Sequence, residues 1–160
     1  MADLNANLDW AQVPDDAKSA FRGVPQKVKV GPQFSVYKFT DSALVGSGRI
    51  TPWWAPVEPY GEDAGLQARL GLARHLGADP GDLMRVVGAV SESWGNKMNN
   101  LLKAELLTSV WCFWGQCSMQ PRRADGKGQT KNLPGYAWQL YIPNLTANDI
   151  RQTSLAPVTR

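Results

Sequence analysis

The stretch Gln33-Phe34-Ser35-Val36-Tyr37-Lys38-Phe39-Thr40 decides the fold class. It is β-branched or aromatic on both alternating sets of positions, as in a strand buried on two sides. Strand-like character extends over residues 33–56, and then the pattern changes. Residues 62–106 read as helical. Leu66, Leu70 and Ala73 recur at helical spacing before a stop at Gly77. Asp79-Pro80-Gly81-Asp82 then supplies an N-cap, a proline at the first helical position and an acid in the first turn. Further on, Leu83, Val87, Val90, Trp94, Met98, Leu101 and Glu105 alternate in fours and threes, all but the last apolar, which predicts a long amphipathic helix. Its solvated face would hold Ser91-Glu92-Ser93, Asn96-Lys97 and Asn99-Asn100. Strand signals return at residues 107–119, with a break at Gly115, and at Tyr136 to Ile142, closed by Pro143-Asn144. A mobile basic loop is expected at 121–134, and a last turn of helix at Thr146 to Asp149. Strand, helices, then strands with long connections predict an α+β fold. The expectation is a single domain, with a small antiparallel or mixed sheet packed against a central block of two helices. Within it, residues 1–32 form an N-terminal arm, 33–150 the core and 151–160 a tail.

Composition narrows the chemistry. The chain has 160 residues, is 43% apolar and carries a formal charge of +3, enough for one ordinary core. Past Cys117 six lysines and arginines face two acids, but there is no basic run, so nucleic acid is not an expected partner. The first residues lack a basic start and an apolar stretch, and no apolar run nears the roughly 20 residues of a membrane helix. A chain made in the cytoplasm is expected, with signal-independent export left open. Cys112 and Cys117 would lie about 16 Å apart on a straight strand, so two reduced thiols are expected rather than a disulfide. With His75 as the lone histidine, no zinc set can be built and His-dependent hydrolysis is excluded. No phosphate-cradling glycine motif is present. Glutamate does not recur after Glu105.

The functional candidates gather around Arg49-Ile50-Thr51-Pro52-Trp53-Trp54-Ala55-Pro56, which follows the turn Gly46-Ser47-Gly48. The prolines hold the tryptophan pair on extended backbone, where successive side chains point to opposite faces. One indole can be buried while its neighbour faces a groove. Two roles follow: anchoring in the core, or a stacking wall with Arg49 beside it for an anion. Adding Tyr37 and Lys38 from the first strand and Gln139 from the last gives cation, aromatic slot and strand amide, a set suited to a nucleotide. The candidate ligand-binding residues are thus Tyr37, Lys38, Arg49, Trp53, Trp54 and Gln139.

In this layout the chain resembles ADP-ribosyltransferase-like toxin domains, which are small α+β folds. The resemblance rests on Val36-Tyr37-Lys38-Phe39 as the aromatic-basic first strand, the helical block after it, and Ala137-Trp138-Gln139-Leu140 as the late strand. It implies NAD as cofactor, with Lys38 at the phosphates, Trp53 or Trp54 on the nicotinamide, and Gln139 in the place of the catalytic glutamate. The chain departs from that pattern in three ways. Lysine stands where arginine or histidine is usual, only Thr108-Ser109 remains of the Ser-Thr-Ser signature, and the carboxylate is missing.

Three functions are therefore open. The first is a binding or assembly module, needing no cofactor, that recognises a protein partner or a second copy through a tryptophan-rich surface. The second is an ADP-ribosyltransferase-like or NAD-glycohydrolase-like effector with altered catalysis. The third is carbohydrate recognition by exposed tryptophans.

Overall fold

The computed structural model describes residues 2–41, 43, 50–90, 94, 96–121 and 132–158. An antiparallel sheet of seven strands is assembled around β2 (Ser35–Thr40). The others are β1 (Gln26–Val30), β3 (Trp53–Pro56), β4 (Asn100–Leu106), β5 (Val110–Gln116), β8 (Trp138–Tyr141) and β9 (Ile150–Pro157). Their order is β1-β5-β8-β3-β2-β4-β9. A two-residue ribbon of β6 (Gln120–Pro121) and β7 (Asn132–Leu133) stands apart. Helices α1 (Asp15–Lys18), α2 (Leu66–Leu76) and α3 (Pro80–Val87) complete an α+β single domain among the described residues. None of these helices is long and apolar enough to cross a membrane.

The two predicted helices end and begin where the sequence indicates. Gly77 takes φ 63° and Ala78 N–H bonds to the Ala73 carbonyl, closing α2 with a left-handed residue. The Asp79 carboxylate accepts from the N–H groups of Gly81 at 2.8 Å and Asp82 at 3.2 Å, with Pro80 in the first turn of α3.

The long helix through Glu105 does not form. α3 ends at Val87, Ala89 and Met98 adopt φ of 52° and 55°, and Asn100–Leu106 is strand β4. The heptad-like spacing hid a period of two, in which Leu102, Ala104 and Leu106 are buried while Leu101, Lys103 and Glu105 are only partly so. Pairing decides the matter. β4 lies against β2 over its whole register, from Ser35↔Glu105 to Thr40↔Asn100, and against β9 on its other side. Backbone ladders on both sides outweigh a weak helical preference.

Three further expectations change. Gly115 does not break its strand, since it pairs with Gln139 in the middle of β5. A Cβ there would come within 2.9 Å of Phe21 and Pro25, so the missing side chain lets the arm approach the sheet. Residues 26–30 of the expected arm are β1, an edge strand of the sheet, and most of the expected tail is β9, the opposite edge. Residues 146–149 form a turn closed by the Asp149 carboxylate on Thr146 N–H. The turn at Gly46–Gly48 and most of the basic loop at 121–134 fall outside the described residues.

One face of the sheet shares a core of Val36, Trp54, Leu102, Leu106, Val110, Cys112, Trp114, Leu140 and Ile150. The opposite face is covered in two patches. The arm lays Val13, Ala17, Phe21 and Trp10 on Phe113, Tyr141 and Trp53. The helical layer lays Leu66, Leu70 and Met84 on Tyr37, Phe39 and Ala55. Between the two covers the sheet is left partly open.

Candidate functional site

That opening is a groove of about 830 Å³. Its floor comes from the adjacent strands β2, β3 and β8, whose odd-numbered residues Tyr37, Phe39, Trp53, Ala55, Gln139 and Tyr141 share one face by the strand period. The arm contributes Asp16 and Ala20 on one side, and the segment after α3 contributes Val90, Trp94 and Asn96 on the other. Five of the six residues singled out in the sequence lie on this wall: Tyr37, Lys38, Trp53, Trp54 and Gln139. Arg49 falls outside the described residues.

Proximity to the groove does not leave these side chains available to a ligand. Trp54 is 2% exposed, and its indole N–H donates to the Thr51 carbonyl at 3.0 Å. Trp53 is flanked by Tyr141 and Phe21, with ring centroids 4.7 and 5.6 Å away. The pair is thus no open stacking wall; it fastens β3 to the core on one face and to the arm on the other. Gln139 donates its side-chain amide to the Ala20 carbonyl at 3.0 Å, holding the arm down. Tyr37 is 1% exposed and hydrogen-bonds Arg69, and burial pushes its phenol up to about 12.

By the strand period Lys38 projects with Trp54 to the face opposite the groove floor, so only its strand position borders the groove. Its ammonium sits 3.9 Å from the centre of the Trp54 ring, and Nζ donates to the Thr51 carbonyl at 3.4 Å and to Thr51 Oγ1. Burial lowers its pKa to about 7. An amine that is neutral half of the time is a poor anchor for phosphate.

Several groups were not singled out in the sequence. Trp94, which the helical spacing would bury in a core stripe, is 55% exposed at the groove rim. Tyr141 follows Gln139 by two residues on β8, so the strand period alone would have placed it on the same face. Behind the floor, Arg69 of α2 lies 3.6 Å from the buried carboxylate of Asp63. Burial raises the Asp63 pKa, while the Gly65 N–H and Arg69 act in the opposite sense. Arg69 Nε is buried without a hydrogen-bond partner. Asp63 and Arg69 are brought together by the turn before α2.

Catalytic chemistry has few other carriers here. Cys112 and Cys117 are both free thiols, as expected, and burial pushes each up to about 12. Thiols so desolvated are weak nucleophiles. His75 sits exposed in the last turn of α2. Among the described residues no group of three or more His, Cys, Asp or Glu side chains is placed to hold a metal ion. Fold and site together define an α+β domain with a groove walled in part by its own arm. No known protein family, curated protein or solved structure matches the chain.

Proposed function

We propose that the chain is a binding module that recognises a partner or ligand presenting a flat apolar group to Trp94 at the groove rim. The observation that carries this reading is the pairing of an indole 55% exposed with an 830 Å³ groove of aromatic floor and polar rim. Large apolar side chains left in water beside a concavity are the usual anchors of recognition. Asp16, Asn96, Ser118 and Gln120 make the same wall polar, with Asn96, Ser118 and Gln120 already hydrogen-bonded to backbone carbonyls. The described carboxylates on the wall are Asp16 and Asp41, which favours an occupant that is neutral or weakly basic. The experiment is a tryptophan-fluorescence titration with a tryptophan-bearing peptide, an oligosaccharide and NAD, on the native protein and on Trp94→Ala. Saturable quenching of the native protein by one of them, lost in the variant, supports the reading. Equal quenching in both proteins removes Trp94 from recognition.

A second reading, an NAD-dependent ADP-ribosyltransferase-like effector, is favoured by one observation. Lys38, the Trp53-Trp54 pair and Gln139 stand on three neighbouring strands, β2, β3 and β8, beside one groove. The commitment of the Gln139 amide to Ala20 weighs against catalysis at that position. Nicotinamide release from NAD at high protein concentration, followed by chromatography, tests it, and no release above the protein-free rate overturns it.

A further inference from the structure

The arm continues β1 along β5, and its continuity is broken at one place. β1 begins with Gln26 opposite Trp114, whereas Phe21 forms an antiparallel bridge to Cys117. Residues 22–25 therefore stand opposite only Gly115 and Gln116, and the two extra residues bulge out of the ladder. The bend rests on Gly23, in the left-handed region at φ 74°, where a Cβ would meet nothing within 4 Å. Its neighbours favour a straight chain. Val24 is β-branched and precedes Pro25, which biases it to extended backbone. At 76% exposure its side chain gains no burial from the bend. A straight hinge would carry Phe21 two positions along β5, about 7 Å, out of the space that Gly115 leaves for it. An arm on a straight hinge thus cannot fill its own seat.

We propose that two copies of the chain exchange arms, each laying residues 2–22 on the other's sheet, so that Asp16, Ala17 and Ala20 in the groove wall of one protomer come from its partner. A second copy is the occupant this seat selects, because the seat already holds this sequence. Val13, Ala17 and Phe21 fit against Phe113 and Tyr141. The charges match as well. Asp3 pairs with Lys29 at 2.7 Å, and Lys27 donates to the Ala6 carbonyl at 3.1 Å. These contacts are the same whichever chain supplies the arm. Closed and exchanged forms therefore differ in the strain of the hinge and in the entropy of association, not in the surface they bury. β1 is an edge strand, so the hinge lies at the margin of the sheet, where a second chain can approach.

The test uses the whole chain without a ligand, so its outcome is independent of what Trp94 recognises. Light scattering behind size exclusion should show, as concentration rises, a species of twice 17.6 kDa. It should revert slowly on dilution, because every arm contact must open before the copies part. Equal amounts of unlabelled and heavy-isotope-labelled chain are then unfolded and refolded together at high concentration, and a carbodiimide joins Asp3 to Lys29. In the dimer fraction, cross-linked peptides that join a light chain to a heavy one should be as frequent as same-isotope pairs. Gly23→Val should raise the dimer association constant at least about tenfold, because a β-branched residue resists the left-handed bend and accepts the straight hinge. A chain that stays monomeric at every concentration overturns the proposal. So does a dimer whose Asp3–Lys29 cross-links all join peptides of one isotope, since each arm is then seated on its own sheet. The mass and isotope readings are made on the native sequence, so they decide the matter even where Gly23→Val folds poorly.

Discussion

Gln139 reaches from the inner strand β8 to the backbone carbonyl of Ala20 in the arm, 3.0 Å away and 119 positions earlier in the chain. The contact is one of a row. Ser118 N–H donates to the same carbonyl at 2.9 Å, Ser118 Oγ donates to the Ser19 carbonyl, and the Arg22 N–H donates to the Gln116 carbonyl at 2.8 Å. Arg22 also stacks its guanidinium over Tyr136 at 4.1 Å. The first wall of the groove is therefore tied to the sheet through backbone acceptors.

Replacing Gln139 by leucine keeps the volume but removes the donor to Ala20. The expected cost is about 0.5 to 1.5 kcal/mol, because the Ala20 carbonyl loses one donor and keeps the Ser118 N–H. Urea unfolding measures the loss, and limited proteolysis should cut the arm between residues 8 and 25 faster than in the native protein.

The tryptophans of the groove should separate cleanly. Trp53→Ala removes a ring packed between Tyr141 and Phe21 and is expected to cost about 3 kcal/mol. Trp94→Ala truncates an exposed ring and should move stability by less than about 0.5 kcal/mol. Thermal melts of both variants check this, and similar losses would show that Trp94 packs as structure.

Gly115→Ala adds a methyl group where Phe21 and Pro25 already stand within 2.9 Å of the Cβ position. The strand can accept an alanine, but the arm must shift. A loss of about 1 to 3 kcal/mol is expected from overpacking. The same change in a chain lacking residues 2–25 should cost much less, and an equal cost there would place the strain within the sheet.

Stability should depend on pH through Lys38. Its folded pKa of about 7 lies below the 10.5 of an unhindered lysine, so between those values the unfolded chain binds the extra proton. Stability contributed at this position therefore rises with pH from about 7 toward 10.5, and the burial penalty is fully present below about 7. Tyr37, Cys112 and Cys117, raised to about 12, act in the opposite sense above about pH 9. Lys38→Met removes the first effect alone. Its stability relative to the native protein should be most favourable at pH 6 and decline by pH 9, and a pH-independent difference would count against the buried amine.

How much of this was legible differs from element to element. β2 shows itself because aromatic and β-branched side chains on both alternating faces suit a doubly covered strand and have no helical period. The caps of α2 and α3 are local chemistry written into Gly77 and Asp79. β4 was disguised, since Leu101 to Glu105 satisfies helical spacing while its partners, β2 and β9, lie far away in the chain. The groove residues do share one wall, but their side chains are spent differently from what their types suggest. Trp53 and Gln139 spend their contacts on an arm whose acceptors are main-chain carbonyls at Ser19 and Ala20, groups that every sequence contains. Trp94 went unrecognised because the helix that would have buried it stops at Val87.

The dependence of the groove on distant backbone has a consequence for the order of folding. The arm precedes nearly everything it docks on, with separations of 99 positions for Ser19 and Ser118 and 119 for Ala20 and Gln139. Closing such loops costs entropy before any contact repays it. Because the arm seats on β5 and β8, its docking is expected to follow their pairing. A ligand seated between the arm and the sheet would therefore favour the docked arm over the undocked one.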